Sequence, residues 1–160
     1  FYPTPEWAVE EILKYIKLKE PILEPCAGEG NISNILKKYY KNVTTFDIDK
    51  KFKVDSYLNF LEYNNKSFNS IITNPPFKDN NDCKFIKKAL DIVPEGEKVI
   101  MLLKLNYLES ARRKKFFDEY PIKKIYVHSK RLSFFGKSGV CYAWYVWEKG
   151  YKGDTVIKII

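Results

Sequence analysis

The chain has 160 residues, 45% hydrophobic and 30% charged, which fits one globular domain with a real core and excludes a disordered or fibrous polypeptide. Its net charge is +8, and no apolar run is long enough to span a bilayer, so no membrane partner is expected and the chain reads as cytoplasmic. The three cysteines, Cys26, Cys83 and Cys141, are odd in number and lack metal-ligand spacing, which fits reduced thiols and no metal site.

Charge is more informative by position than in total. Between Lys98 and Lys137 eleven Lys or Arg face three Asp or Glu, and elsewhere the two signs balance. Such asymmetry points to a polyanionic partner, with a solvated basic face as the plainer alternative. The chain starts at Phe1 without an initiator methionine and reads as trimmed.

In chain order, Phe1 to Thr4 is an aromatic extended lead. Thr4 suits an N-cap, Pro5 the first helical position, and Val9, Ile12, Leu13 and Ile16 recur at helical spacing, predicting a helix over 5–18. Ile22 to Glu24 follows as a short strand. The segment Pro25-Cys26-Ala27-Gly28-Glu29-Gly30 then leads into helical spacing at Ile32, Ile35, Leu36 and Tyr39. Strand, Gly-x-Gly turn and helix together let a backbone approach a ligand closely. There is no third glycine and no Gly-Lys-Ser/Thr, which argues against nicotinamide cofactors and nucleoside triphosphates. Glu24 and Glu29 flank the turn, a setting better suited to an ammonium or sulfonium than to a phosphate.

Val43 to Phe46 reads as a second strand ending at Asp47, where a carboxylate can accept hydrogen bonds from ribose hydroxyls. A short third strand near 55–58 leads to Asn59-Phe60-Leu61, and Ser70 to Thr73 is a buried strand. Asn74-Pro75-Pro76-Phe77 follows that strand directly. Two prolines stiffen the loop, Asn74 and a proline carbonyl can accept hydrogen bonds from an amine, and Phe77 can stack on its ring. A purely structural loop is the alternative. Asp79 to Asp82 should cap a helix bearing Phe85, Ile86, Ala89, Leu90 and Val93, followed by a strand from Lys98 to Leu103. A helix over 108–119 carries Arg112-Arg113-Lys114-Lys115, and strands are predicted at 124–128, 140–147 and 155–160. His128, the single histidine, is expected to be structural.

Alternating strands and helices predict a mostly parallel sheet covered on both faces, with the glycine turn, Asp47, Asn59 and Asn74 at strand carboxyl ends. These motifs, in this order, resemble the class I S-adenosylmethionine-dependent DNA adenine (amino) methyltransferases of the Asn-Pro-Pro-Phe type, and 131–135 with 143–147 resemble small phage and prophage members. The resemblance implies a Rossmann-like α/β fold with an antiparallel β tail, one catalytic domain over 1–160, and no separate target-recognition domain. It implies S-adenosylmethionine contacts from Tyr2, Thr4, Glu24, Pro25, Cys26, Gly28, Gly30, Asp47, Ile48, Asn59, Phe60 and Asn74. Asn59 stands where the family usually has a carboxylate. Catalysis is assigned to Asn74, Pro75, Pro76 and Phe77. Substrate contacts are assigned to Phe77, Arg112, Arg113, Lys130, Arg131, Phe134 and Phe135. The partner implied is nucleic acid, DNA first, with a separate protein possible for target recognition. An RNA amine, a protein glutamine amide, and a non-catalytic nucleic-acid-binding relic are the alternatives.

Overall fold

The computed structural model describes residues 3–76, 82–132 and 140–160. Helix α1 (Glu6–Leu13) precedes β1 (Ile22–Glu24), α2 (Asn31–Tyr39), β2 (Val43–Asp47), β3 (Ser56–Tyr57) and β4 (Ser70–Thr73). Then come α3 (Asp82–Ile92), β5 (Lys98–Lys104), α4 (Ala111–Glu119), β6 (Lys124–Val127), β7 (Tyr142–Glu148) and β8 (Val156–Ile159). The strands form one sheet in the order β3-β2-β1-β4-β5-β7-β6-β8, parallel except where β7 runs antiparallel between β5 and β6. This is the α/β architecture with an antiparallel tail that the sequence predicts.

Period-two alternation divides the central strands between two cores. On β5, Val99, Met101 and Leu103 join Phe85, Ile86 and Ala89 of α3, with Phe116 and Phe117 of α4 packed alongside. Ile100 and Leu102 face the other way, onto Ala8, Val9 and Ile12 of α1 and Ile32, Ile35 and Leu36 of α2. On β7, Tyr145 and Trp147 serve the first core, Trp144 and Val146 the second. With both faces covered, central strands read as continuous apolar runs.

The chain leaves β1 toward β2 in one direction and, after β4, toward β5 in the other. Adjacent β1 and β4 are therefore the point where strand order reverses, the place where ligands of such sheets bind, past the strand carboxyl ends. Their parallel register, Ile22 with Ser70 and Leu23 with Ile71, brings the residues after Glu24 beside those after Thr73.

Three local expectations change. Helix α1 stops at Leu13, not at 18, although Ile16 and Leu18 remain buried as the chain continues across the sheet. Pro5 occupies the N-cap and no side chain caps the helix, so Thr4 is not the cap. The helix expected over 108–119 is a short 3-10 turn (Leu105–Leu108) followed by α4, which Ser110 caps through its side chain. Among the described residues no helix is long and apolar enough to cross a membrane.

Candidate active site

The turn after β1 is bolted to the end of β2. Asp47 accepts from Gly28 N–H at 2.8 Å through Oδ2 and from Asp49 N–H at 2.9 Å through Oδ1. Ala27 N–H adds a bond to the Phe46 carbonyl at 3.0 Å. Gly28 and Gly30 have φ of +53° and +81°, which a side chain would strain, so glycine is what lets the backbone fold this tightly. Asp47 is only 9% exposed, yet each carboxylate oxygen keeps a second lone pair that a ribose hydroxyl could use. Beside it Ile48 projects from the rim, 71% exposed.

Glu24 is buried, 1% exposed, and accepts from Ser33 N–H at 2.7 Å, satisfying one of the free amides of the first turn of α2. Burial pushes its carboxyl up to about 8, with the Asp47 charge adding to the rise and the Ser33 bonds opposing it. Burial therefore favours the neutral form of Glu24, while Glu29, the other carboxyl flanking the turn, is exposed. Burial likewise raises the Cys26 thiol above its usual range, so it stays a thiol packed on the core.

Asn74 leaves β4 at the same edge and is held from far along the chain. Its Nδ2 donates to the Thr4 hydroxyl at 3.1 Å, across 70 positions. Thr4 is itself buried. The Oδ1 of Asn74 lies beneath the surface. Pro75 is buried and Pro76 exposed.

The segment that the resemblance assigns to adenine also makes contacts of its own. Asn59 accepts from Leu61 N–H at 3.1 Å and donates to Glu62 at 2.9 Å, capping a 3-10 turn (Phe60–Glu62). The Phe60 ring, 2% exposed, packs on Phe85 with centroids 5.6 Å apart, so it belongs to the core rather than the open rim. Tyr2, Phe77, Phe134 and Phe135 lie outside the described residues.

No protein-family profile and no curated protein matches the sequence. Solved structures do match. A Pyrococcus horikoshii protein provisionally named an RNA methyltransferase superposes with a TM-score of 0.69 at 20% identity, over 92% of this chain and 86% of its own. An S-adenosylmethionine-dependent O-methyltransferase from Thermotoga maritima gives 0.66 at 14%, over 92% and 67%. The M protein of the type I restriction enzyme EcoKI gives 0.70 at 14%, over 98% of this chain but 47% of its own. This is the class I methyltransferase fold. Nucleic-acid and oxygen methyltransferases stand together among these neighbours, so the shared fold leaves the acceptor to be argued from the site.

Within the methyltransferase fold, the basic segment lies on α4 and after β6. Arg113 is committed inward: Nε is 2.8 Å from Asp82, Nη1 donates to the Tyr107 carbonyl at 3.1 Å, and the guanidinium sits 3.8 Å over the Tyr107 ring. Burial alone would raise the Asp82 carboxyl, but hydrogen bonds from Cys83 N–H, Tyr107 and Arg113 hold it below its usual range. The sequence-based phosphate role for Arg113 therefore competes with a structural one, whereas Arg112 is half-exposed and 3.6 Å from Asp82. We expect Arg113→Ala to cost about 2–4 kcal/mol of stability and Arg112→Ala less than about 1, by urea unfolding. Equal losses would contradict the buried assignment.

Past β6, His128 is 8% exposed, with the edge of its ring against Trp7 at 5.1 Å between centroids. Its Nε2 has neither solvent nor a hydrogen-bond partner. A buried ring nitrogen left that way costs about 1–3 kcal/mol. Burial lowers its basicity, partly offset by the Glu11 charge, so the ring is neutral at pH 7. Among the described residues no three His, Cys, Asp or Glu side chains gather as a metal would require.

Proposed function

We propose that this chain is an S-adenosylmethionine-dependent methyltransferase that methylates the 6-amino group of adenine in DNA by direct in-line transfer. The observation that supports the reading is the parallel pairing of β1 and β4, whose carboxyl ends lead side by side into the glycine turn and into the Asn74-Pro75-Pro76 corner. Corners on opposite edges of the sheet could not act on the same atoms.

The residues of the turn fit the cofactor. Glycines at positive φ open the backbone, Asp47 offers lone pairs to a diol, and exposed Ile48 offers an apolar surface to a flat base. When bound, S-adenosylmethionine supplies a methyl carbon made electrophilic by a sulfonium. The protein's part is to make the amine a nucleophile. The lone pair of the adenine 6-amino group is delocalised into the ring. Asn74 Oδ1 and the Pro75 carbonyl can each accept one N–H, drawing the nitrogen toward tetrahedral geometry and freeing that pair. Fixed acceptors of this kind need no reorganisation during reaction, and proximity supplies much of the remainder. Because Oδ1 is buried, an arriving base has to displace what covers it, which suits a base flipped out of its stack. Phe77, Phe134 and Phe135 are proposed as stacking walls, and Arg112, Lys130 and Arg131 as phosphate contacts. Recognition of a target sequence is assigned to a partner or to protein outside this chain, which spans under half of the EcoKI M protein.

Incubation with tritiated cofactor and DNA, RNA or protein, followed by digestion, should place the label on N6-methyladenine from DNA. Label on an RNA nucleoside or on glutamine would replace the substrate assignment. No transfer together with no thermal stabilisation by S-adenosylmethionine would favour a non-catalytic relic.

A further inference from the structure

A cavity of about 170 Å³ opens along the same sheet edge, at the carboxyl ends of β5 and β6 and the start of β7. Its polar lining among the described residues is His128, Ser129, Lys130, Arg131 and Cys141, with no Asp or Glu among them. Such a lining presents donors and positive charge and suits an oxyanion. Two features make it a built site and not a chance hollow. His128, more than nine-tenths buried, is among its lining residues, and its Nε2, just beneath the surface, has no hydrogen-bond partner among the described residues. The segment from Thr4 into α1 also ties it to the candidate catalytic corner. Thr4 holds Asn74, while Trp7, three residues on, meets the His128 ring in a T-shaped contact and has the Lys130 ammonium 4.9 Å from its ring centre.

β4 neighbours β5, and β5 neighbours β7. β7 in turn neighbours β6, so the cavity begins one strand spacing from the Asn74 corner and reaches the end of β6, which carries His128, three spacings or about 15 Å away. A strand held at Asn74 covers that distance in about two nucleotides. We infer that this cavity receives a backbone phosphate of the substrate strand about two nucleotides from the target, with His128 Nε2 donating and Lys130 and Arg131 supplying charge. The inference rests on the nucleic-acid reading above and assigns the histidine to substrate contact. Among the described residues the charged and titratable groups around His128 are Glu11 of α1, itself bridged to Lys14, Lys130 and Arg131 on the connection after β6, and Cys141 just before β7. A bound dianion or phosphodiester would outweigh Glu11 and favour the imidazolium.

The chain has one histidine, so its ring protons give an unambiguous NMR titration. The probes are a short adenine-containing single-stranded oligodeoxynucleotide, the same oligomer with a neutral methylphosphonate backbone, and inorganic phosphate. The oligodeoxynucleotide is expected to raise the His128 midpoint by about one pH unit, and the methylphosphonate not to. His128→Gln should weaken oligodeoxynucleotide binding about fivefold at low salt while leaving thermal stabilisation by S-adenosylhomocysteine unchanged. An unmoved midpoint under saturating oligodeoxynucleotide overturns the assignment, as does failure of the oligodeoxynucleotide to bind. A response to inorganic phosphate alone would mark a free-anion site and overturn it too. If His128 responds but no methyl is transferred and no cofactor binds, the catalytic reading fails and the phosphate site stands.

Discussion

Asn74→Ala should lower the methyl-transfer rate at least about 10²-fold, the size expected when one fixed polar contact to the reacting group is removed. Thermal stabilisation by S-adenosylmethionine should change little, because the glycine turn, Asp47 and Ile48 are built on β1 and β2. The truncation also deprives the Thr4 hydroxyl of its donor, so a modest loss of stability is expected alongside the kinetic effect. Asn74→Asp separates the two consequences. It keeps an acceptor oxygen toward the substrate, and the Thr4 hydroxyl can turn to donate to the carboxylate. Its rate should fall between those of parent and alanine variant, with near-parental stability. A tritiated-methyl assay on adenine-containing DNA decides the matter: equal rates for alanine variant and parent would remove Asn74 from the chemistry.

The strands and their order of appearance were legible because short β-branched runs bounded by Gly, Pro and Asn leave little else for the backbone to do. Their spatial order was legible only in outline. Strand β4 lies beside β1, nearly fifty residues earlier, and that adjacency follows from burying both faces of the sheet, not from any local signal. The errors share this origin. Thr4 has the composition of an N-cap, and local rules place it there, but its hydroxyl is claimed by an amide 70 positions away. The apolar spacing through Ile16 marks burial correctly and helix length incorrectly, since a chain crossing a sheet can bury Ile16 and Leu18 without helical geometry. The run from Arg112 to Lys115 counts as four positive charges in sequence. Arg113 is spent on Asp82 and Tyr107, and Lys114 is paired with Asp118 at 2.5 Å. Phe60, which the resemblance places in the adenine-contacting segment, has its ring against Phe85 in the core. The cavity at His128 had no sequence signature, because one isolated histidine carries no periodicity or motif.

Glu24 should make the folded state lose stability as pH rises toward 8. Its folded carboxyl titrates near 8, against an ordinary value of 4.5. Below about pH 4.5 both folded and unfolded chains hold the proton, and the contribution is fully present. Between the two values the unfolded chain ionises while the folded one cannot, so folding becomes less favourable with each step in pH. Integrated across the window, the loss is roughly 3–5 kcal/mol. Glu24→Gln removes the titration but keeps an oxygen to accept from Ser33 N–H, so urea unfolding should show the variant gaining on the parent between pH 5.5 and 8.5. A parent-minus-variant difference that is the same at both pH values would mean that Glu24 is ionised in the folded protein. The same linkage reaches function under the proposed reading. A cation bound at the glycine turn favours the ionised carboxylate. The affinity of the parent for S-adenosylmethionine should therefore rise from pH 6 to 8, and that of Glu24→Gln should stay flat. Fold stability and cofactor affinity then move in opposite directions with pH because one buried proton is counted in both.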